Sequence, residues 1–550
     1  MTTEAAETTI ETTIETITET TNETTNETHE PNNNTILTII ASLVLWCVTA
    51  YVVYIGFSYY WDLMHSDIAG DLAFVREAAR QRSLFPYGWA HLQEMRLIHF
   101  TTVILLVYLI TDNINLSYPI AASLMLLVNM YLFYFMLSYR KRNILPIIVG
   151  FTVLLMFFSR YAQVSVFSIL FINSSLSTSL ATIFITIGVY MRLKENKSHI
   201  LAIILAILAF AQGIQSTRLL IALYLPLLIV DLYPILIRIL KDKDFDFKEI
   251  KKSTVFTIIW FLCNLAGIAL ITALIRRDIV IVGYTLVSSS LRMTRYDRLW
   301  SNLGVFVPQL FRALGLRGGI YAYSLEGALF IGRLFTIVAL PIILFKTSAR
   351  FNKDNTIMHI LFASVCASAI SMIMMVTGIG ERFLFTITAL LSVMVVIVLE
   401  YFINNNRKIL TYITCIFIFI IVLLTGTRGL QVPRQPSLIE DRQAVTDFIL
   451  EQGFTVGYGT FWHGLVLAAV GDFEFDVIYV GRNSLTPRPH GVTLERLNHD
   501  EDRVFLVLTR DQAQNAYNNS SRTRAILEQG ERHEFRRGWV VYTFEQNPFR

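Results

Sequence analysis

The sequence predicts a polytopic α-helical membrane protein that carries a small C-terminal α/β soluble domain. Of its 550 residues, 54% are hydrophobic and only 16% are charged. The mean hydropathy of +0.52 is well above that of soluble domains of this length. Apolar runs alternate with short polar loops from residue 36 to about residue 426, and soluble patterning follows the segment VPRQP at 432–436. A net charge of +4 gives no reason to expect a nucleic-acid partner.

Three domains follow from these changes in composition. Residues 1–35 are an acidic tail rich in Thr, Glu and Asn, without Lys or Arg, and they are expected to be disordered because they offer too little apolar surface to fold. Residues 36–430 are expected to form the transmembrane domain, beginning with a retained anchor. Residues 437–550 are expected to form the soluble domain.

Eleven apolar runs are good candidates for membrane spans, because a bilayer core needs about 17 to 25 residues of helix. They are 36–59, 118–138, 144–158, 174–191, 200–215, 219–240, 255–275, 325–345, 357–376, 383–403 and 410–425. A further run at 98–111 is shorter, which suits a re-entrant or interfacial segment better than a span.

The lysines predict the orientation. All 11 lie in five loops, around 141, 194–197, 241–252, 346–353 and 408, and each pair of neighbouring loops encloses two spans, so all five can face the cytoplasm. The C-terminal domain and a first loop at 60–117 would then be outside the cytoplasm. Two interpretations of 98–111 stay open: if it crosses, the protein has twelve spans and the start of the first loop is cytoplasmic. The arginines of this loop favour twelve spans, whereas the short run favours eleven, which is the preferred interpretation.

The first loop opens with HSDIAGD at 65–71. Ser66 is the expected N-cap of a helix, and Asp67 and Asp71 lie one turn apart on the same helix face. Without further context, an amphipathic surface helix with solvated acids explains this pattern equally well. The polar groups that follow favour a functional site, since ionisable groups at a membrane are costly. They are Trp89, His91, Glu94, Arg96 and His99.

Several short motifs carry a resemblance to a known family. They are HSD at 65–67, LFPYGW at 84–89, EMR at 94–96, QSTRLLIALYLPLLI at 215–229, GERFLF at 380–385 and GFTVGYGTFWHGLVLAA at 453–469. Together with the architecture, they resemble a bacterial branch of the GT-C superfamily of integral membrane glycosyltransferases. The resemblance implies a polyprenyl-phosphate-linked sugar as donor, a location in the bacterial inner membrane, and a catalytic first-loop aspartate. That position is Asp67, with Asp71 the second choice.

Sugar transfer from a lipid phosphate also needs positive charge near the leaving group. Arg218 and Arg382, each at the start of a predicted span, are the candidates for binding the donor phosphate, although an arginine there can simply snorkel to the headgroups. Further external candidates in the large loop are Arg276, Arg277, Arg292, Arg295 and Arg298. For the cluster RMTRYDRLW at 292–300 a lipid-headgroup surface is the preferred interpretation. His65, Trp89, Glu94, Arg96 and Glu381 are candidate supporting residues, with Glu381 also a candidate salt-bridge partner of Arg382.

In the C-terminal domain the sequence predicts a helix at 441–452 and strands at 475–481, 504–509 and 538–545. Between the first helix and the first strand, GYGTFWHG at 457–464 combines glycines with aromatic residues. Tyr458, Trp462 and His463 are candidates for acceptor binding, and burial in the core is the alternative explanation for an aromatic cluster.

The resulting hypothesis is an inverting membrane glycosyltransferase that acts on an envelope glycan, lipid or protein outside the cytoplasm. The alternative is a transporter or lipid flippase, which the positions of Asp231, Glu326 and Glu400 near the ends of predicted spans do not favour. A scaffold that presents the C-terminal domain ranks last. The sequence contains no recognisable metal-ligand spacing and no adjacent acidic pair in the first loop, so no cofactor is expected, and weak binding of a divalent metal stays open.

Overall fold

The computed structural model describes most of the chain. The described residues are 34–91, 95–140, 143–156, 166–171, 175–195, 199–242, 251–277, 279–280, 296–313, 323–347, 356–374, 384–429 and 436–550. All but the last two residues of the predicted disordered tail lie outside these ranges.

The part of the chain before residue 430 folds into helices. They are α1 (Asn34–Ser58), α2 (Tyr60–Leu63), α3 (Ser66–Arg80), α4 (Phe100–Thr111), α5 (Ile114–Leu137), α6 (Ile144–Met156), α7 (Val166–Phe171), α8 (Ser175–Leu193), α9 (His199–Gln215), α10 (Leu225–Asp242), α11 (Lys252–Arg276), α12 (Leu299–Ala313), α13 (Leu325–Leu334), α14 (Leu340–Thr347), α15 (Thr356–Met374), α16 (Phe385–Asn404) and α17 (Lys408–Gly429). π-helical turns at Leu220–Tyr224 and Phe335–Ala339 lead into α10 and join α13 to α14.

Within the described ranges, eight helices are long and apolar enough to cross a membrane. They are Thr35–Ser58, Ile114–Leu137, Leu176–Leu193, Leu220–Leu240, Lys252–Arg276, Leu325–Thr347, Phe385–Asn404 and Lys408–Thr425. The prediction of a polytopic helical membrane protein is therefore confirmed. The other three predicted spans correspond to α6, α9 and α15, whose apolar stretches are shorter, so the count of eleven stays a prediction.

Helices α9 and α11 pack with their backbones in close contact. A Cβ atom on Gly213 would collide with the backbone of Asn264, and one on Gly267 would collide with the backbone of Phe210. The Asn264 amide nitrogen donates to the Ala209 carbonyl at 2.8 Å across the same contact. Small residues and interhelical hydrogen bonds of this kind hold helices together where both protein and lipid are apolar.

The C-terminal domain is a five-stranded mixed sheet with helices. Its elements are α18 (Pro436–Glu451), β1 (Val456–Gly459), α19 (Phe461–Val470), β2 (Asp476–Tyr479), α20 (Leu494–Leu497), β3 (Val504–Thr509), α21 (Arg510–Asn519), α22 (Ser521–Gln529), β4 (Glu531–Glu534) and β5 (Trp539–Phe544). The strand order is β2-β1-β3-β5-β4, in which β1 is parallel to β2 and β3, and β5 is antiparallel to β3 and β4. The predicted helix and the three predicted strands are present, whereas β1 and β4 were not predicted.

The sheet has two buried faces. On one face Leu506, Leu508 and Val540 pack in a core that also holds residues of α21 and α22. On the other face Phe505 and Val507 join a core that continues through α19 into the membrane helices. The soluble domain and the membrane domain therefore share one hydrophobic core.

Helix α3 is the element on which the two domains meet. The sequence predicts that it rests on the membrane surface, but in the structure it packs against α4 on one side and α19 on the other. Ile68, Leu72 and Val75 are buried, and so are Ala69 and Phe74 on other faces of the helix. The predicted amphipathic pattern is present, yet protein covers both the apolar stripe and part of the expected solvent face.

Candidate functional site

The first turn of α3 holds Asp67 in a defined position. The sequence predicts Ser66 as the N-cap, but the cap is His65, and this prediction is wrong by one residue: the His65 Nδ1 accepts a hydrogen bond from the Asp67 backbone N–H at 3.1 Å. Ser66 is the first helical residue and is fully buried. The Asp67 side chain is half-buried, and its carboxylate has no hydrogen-bond or ion-pair partner in the part of the chain that the structure describes.

Asp71, one turn later, is in a different environment. Its Oδ1 accepts a hydrogen bond from Arg96 Nη2 at 2.7 Å, and the two side chains are 6% and 5% exposed. The Arg96 guanidinium also lies over the Phe74 ring, 4.9 Å from its centroid. Helix α3 thus presents two carboxylates at successive turns, of which one is neutralised inside the protein.

The segment before α4 folds back over Phe74. The Trp89 ring packs edge-on against Phe74 at 5.5 Å, and the His91 ring lies 6.2 Å from it. Burial lowers the pKa of His91 to about 4, and the nearby positive charge of Arg96 acts in the same direction. His91 is therefore a neutral side chain at physiological pH, next to the ion pair of Arg96 with Asp71.

Arg218 approaches the same region from the membrane helices. At the end of α9, the Gln215 Oε1 accepts a hydrogen bond from the Ile98 N–H at 3.0 Å, which ties this end to the start of α4. Burial lowers the pKa of His99, the N-cap of α4, to about 4, and the charges of Arg96 and Arg218 lower it further against the opposite effect of Asp71. Arg218 thus lies close enough to act electrostatically on the surroundings of Asp71.

Both ends of the first loop contact the C-terminal domain. At its start, Arg442 Nη1 of α18 donates to the carbonyls of Trp61 and Met64 at 3.5 and 3.3 Å. At its end, the Asn115 amide nitrogen donates to Asp472 and to the Ala469 carbonyl. The two ends are therefore on the same face of the molecule, which favours the interpretation in which residues 98–111 do not cross the membrane.

The two domains also exchange backbone hydrogen bonds. The Ala90 N–H donates to the Val492 carbonyl at 2.8 Å, the Gly491 N–H donates to the Ala90 carbonyl at 2.9 Å, and the Leu494 N–H donates to the Gly88 carbonyl at 2.8 Å. Gly88 has φ +70°, which a residue without a Cβ adopts at no steric cost. These bonds fix the position of residues 88–91 directly on the soluble domain.

The three residues predicted to bind an acceptor lie in different places. Tyr458 on β1 is 3% exposed, and its hydroxyl bonds to His499 Nε2 at 3.0 Å and Asn547 Nδ2 at 3.1 Å, so it belongs to the core of the domain. Trp462 is 62% exposed at the start of α19. His463 Nδ1 lies 3.0 Å from Thr460 Oγ1, and burial lowers its pKa. Only Trp462 offers a free aromatic surface.

Several predicted residues lie outside the described ranges. They are Glu94, Glu381, Arg382, Arg292 and Arg295. Arg276, Arg277 and Arg298 are described, and all three are at helix ends in or beside the large loop. Within the described ranges, no group of three or more His, Cys, Asp or Glu side chains could hold a metal ion.

Two residues near the site were missed. His490 is 8% exposed, its ring packs against Phe461 at 5.0 Å, and burial together with the charges of Arg96 and Arg488 lowers its pKa to about 4. Arg442 holds the start of the first loop. Both are distant from the loop in sequence, and no local pattern in the soluble domain signals that they contact it.

The fold and the site define a class: a polytopic helical membrane protein whose first loop is covered by a C-terminal sheet domain. Comparison with models of known protein families gives no match, and no curated protein matches the chain either.

Proposed function

We propose that the protein is a membrane glycosyltransferase of the GT-C type, which transfers a sugar from a polyprenyl phosphate to an acceptor outside the cytoplasm with inversion. The observation that carries the proposal is the contrast on α3: Asp67 has no partner among the described residues, whereas Asp71 one turn away is paired with Arg96. A carboxylate held in place without a partner is what a general base requires.

In the proposed reaction Asp67 takes the proton of the acceptor hydroxyl. The oxygen then attacks the anomeric carbon of the donor sugar, a glycosidic bond forms, and the bond between that carbon and the phosphate oxygen breaks with its electron pair on the polyprenyl phosphate. The first turn of a helix stabilises a negative charge, and the His65 cap orients the Asp67 backbone. Both features support Asp67 as the base.

Arg218 is the proposed residue for the departing phosphate, together with Arg382. A planar guanidinium can hold two phosphate oxygens at once, and Arg218 is half-buried and near enough to His99 to lower its pKa. Asp71 acts as a positioning residue that fixes Arg96, rather than as the base. The contact of the first loop with the C-terminal domain supports a location of both on the same side of the membrane, which the lysine distribution predicts to be the external one.

The test is transfer with purified protein in nanodiscs and a synthetic polyprenyl-phosphate sugar. Asp67→Asn is expected to lower the rate by about 100-fold or more, the usual contribution of a general base, with unchanged thermal unfolding. Asp112→Asn is the matched control, because Asp112 is an exposed acid of the same loop in a left-handed conformation that asparagine also tolerates. Full activity of Asp67→Asn would remove the proposal.

Transport is the second candidate function, and the position of Asp231 favours it. This carboxylate lies midway along the candidate span Leu220–Leu240, so its assignment to a span end in the sequence analysis is wrong. It is buried, accepts hydrogen bonds from the Tyr190 and Thr257 hydroxyls at 2.7 and 3.1 Å, and lies 3.9 Å from Lys194 Nζ. Substrate-dependent uptake into liposomes that is lost in Asp231→Asn, with no transfer product, would favour transport.

A further inference from the structure

Helix α12 (Leu299–Ala313) belongs to the large loop between α11 and α13 and is attached to two of the membrane helices. The Asn302 amide nitrogen donates to the Ile373 carbonyl in the last turn of α15 at 2.8 Å. Farther along α12, the Phe311 ring packs edge-on against the Phe330 ring of α13, with 6.0 Å between the ring centroids. The helix rises roughly 13.5 Å between these two contacts, so α12 reaches from the end of α15 to the beginning of α13.

The surface of α12 is apolar on all sides, although protein covers only one of them. Phe306 is buried on the face that packs against α15. Away from that face Trp300 is 80% exposed, and Val305 and Val307 are exposed as well. Of the seven exposed residues that the structure describes in this helix, two have polar side chains. A helix that borders water has a polar outer face, so contact with water does not explain this composition.

The exposed side of α12 adjoins the lipid-facing surface of the helices to which it is attached. Ile370 lies one turn before Ile373 on α15, and Ile331 follows Phe330 on α13; both isoleucines are exposed. Helix α13 is part of the candidate membrane span Leu325–Thr347, so its exposed apolar residues face lipid. An extended apolar patch marks a contact surface, and its continuity with the surface of α13 identifies lipid as the partner.

Basic residues lie at both ends of α12. Arg298 directly precedes the helix, Arg312 is in its last turn, and both side chains are exposed. The lysine distribution predicts that the loop containing α12 is outside the cytoplasm. Arginine and tryptophan side chains at the boundary between headgroups and acyl chains are typical of helices that lie in the plane of the membrane surface.

We propose that α12 is an interfacial helix that binds the surface of the lipid bilayer, with Trp300, Val305 and Val307 among the outer parts of the acyl chains. The inference goes beyond the proposed function and does not depend on it, since it concerns the bilayer and neither donor nor acceptor. The sequence predicts a headgroup surface for residues 292–300 alone, and α12 extends the contact with lipid to residue 313. The large loop is thereby anchored to the bilayer at its centre.

The position of α12 is measured with spin labels on single cysteines, in a variant without the four native cysteines and in nanodiscs of phosphatidylethanolamine and phosphatidylglycerol. Oxygen, which concentrates in lipid, and a water-soluble nickel chelate serve as relaxation agents. Labels at Val305→Cys and Val307→Cys are expected to collide more often with oxygen than with the chelate, at a depth of roughly 5 to 10 Å. Phe362→Cys, exposed on α15, is the reference for lipid, and Tyr87→Cys, exposed on the first loop, is the reference for water.

A double variant tests which side chains hold the helix in the membrane. With Trp300→Gln and Val307→Gln together, the label at Val305→Cys is expected to collide more often with the chelate than with oxygen. Thermal unfolding should be unchanged, because both replaced side chains are exposed. The matched control is Tyr87→Gln, which removes an exposed aromatic ring outside the loop of α12 and should leave the label where it is.

Three results would overturn the inference. Labels at both positions that collide more often with the chelate would place this face of α12 in water. Labels that neither agent reaches would mean that protein covers the face, and spin–spin broadening between copies would identify a second copy of the chain as the partner. A label at Val305→Cys that stays in lipid in the double variant would show that Trp300 and Val307 do not hold the helix there.

Discussion

Asp71 and Arg96 form a buried ion pair across 25 residues of the first loop, with 2.7 Å between Asp71 Oδ1 and Arg96 Nη2. The pair joins α3 to the segment before α4. Removing one member leaves a buried charge unpaired, which typically costs 3–5 kcal/mol, whereas replacing both by apolar side chains is often neutral.

We therefore expect Asp71→Leu and Arg96→Met each to lower the thermal unfolding midpoint strongly, and the double variant to recover most of the loss. The exposed pair of Arg510 and Glu534 is the control, since such pairs contribute about 0–1 kcal/mol and its removal should change the midpoint little. A double variant as unstable as the worse single variant would show that the two side chains act separately.

The histidines at the domain boundary predict a dependence of stability on pH. The pKa of His91 and of His490 is about 4 in the folded protein, below the ordinary value of about 6.5. As the pH falls, these histidines are therefore protonated in the unfolded state before they are protonated in the folded state. The free energy of unfolding is unchanged above about pH 6.5 and decreases between about pH 6.5 and pH 4. The loss is at most roughly 3 kcal/mol for each histidine, from a difference of about 2.5 pKa units.

This dependence is measured as the unfolding midpoint between pH 7.5 and 4.5. His91→Phe and His490→Phe keep an aromatic ring without a titrating group, and each should flatten the decrease. A decrease of the same size in the double variant would assign it to other groups.

The close contact between α9 and α11 predicts that a Gly→Ala substitution there lowers stability more than the same substitution at an open position. Gly213→Ala and Gly267→Ala each place a methyl group against backbone atoms of the partner helix, and overpacking of this kind costs about 1–3 kcal/mol. Gly304→Ala in α12 is the control, because nothing lies within 4 Å of its Cβ position. Unfolding midpoints of the three variants should separate the first two from the third.

The placement of the first loop predicts which cysteines can be labelled from one side of the membrane. In a variant without native cysteines, Tyr87→Cys at a 91% exposed position and Glu501→Cys on the C-terminal domain should react together with a membrane-impermeant maleimide in intact cells. Asn406→Cys, between α16 and α17, should react only after permeabilisation. Labelling of Tyr87→Cys together with Asn406→Cys would mean that residues 98–111 cross.

The helices and the soluble domain could be predicted because each is encoded locally. Long apolar runs specify α1, α5 and α11, and alternating or apolar runs specify β3 and β5. The strand β1 was missed because GYG is poor in β-branched residues; Gly457 is there because the Phe505 ring occupies the space of a side chain.

Only part of the candidate site could be predicted, because only part of it is encoded by residues that are close together in the sequence. Asp67, Asp71 and Arg96 lie in one loop, so their proximity follows from the sequence. That Arg96 neutralises Asp71, while Asp67 has no partner among the described residues, depends on the fold of the segment after α3. The approach of His490 and Arg442 depends on contacts across almost 400 residues, which no local pattern encodes.

The backbone pairing of residues 88–90 with residues 491–494 constrains how the protein can be divided or recombined. A soluble domain expressed alone would expose unpaired amide and carbonyl groups along that strip, and one grafted onto the membrane part of another protein would meet a loop of different shape. The exchangeable unit is therefore discontinuous: a hybrid keeps this contact between the domains only when the loop after the first helix is transferred together with about the last hundred residues.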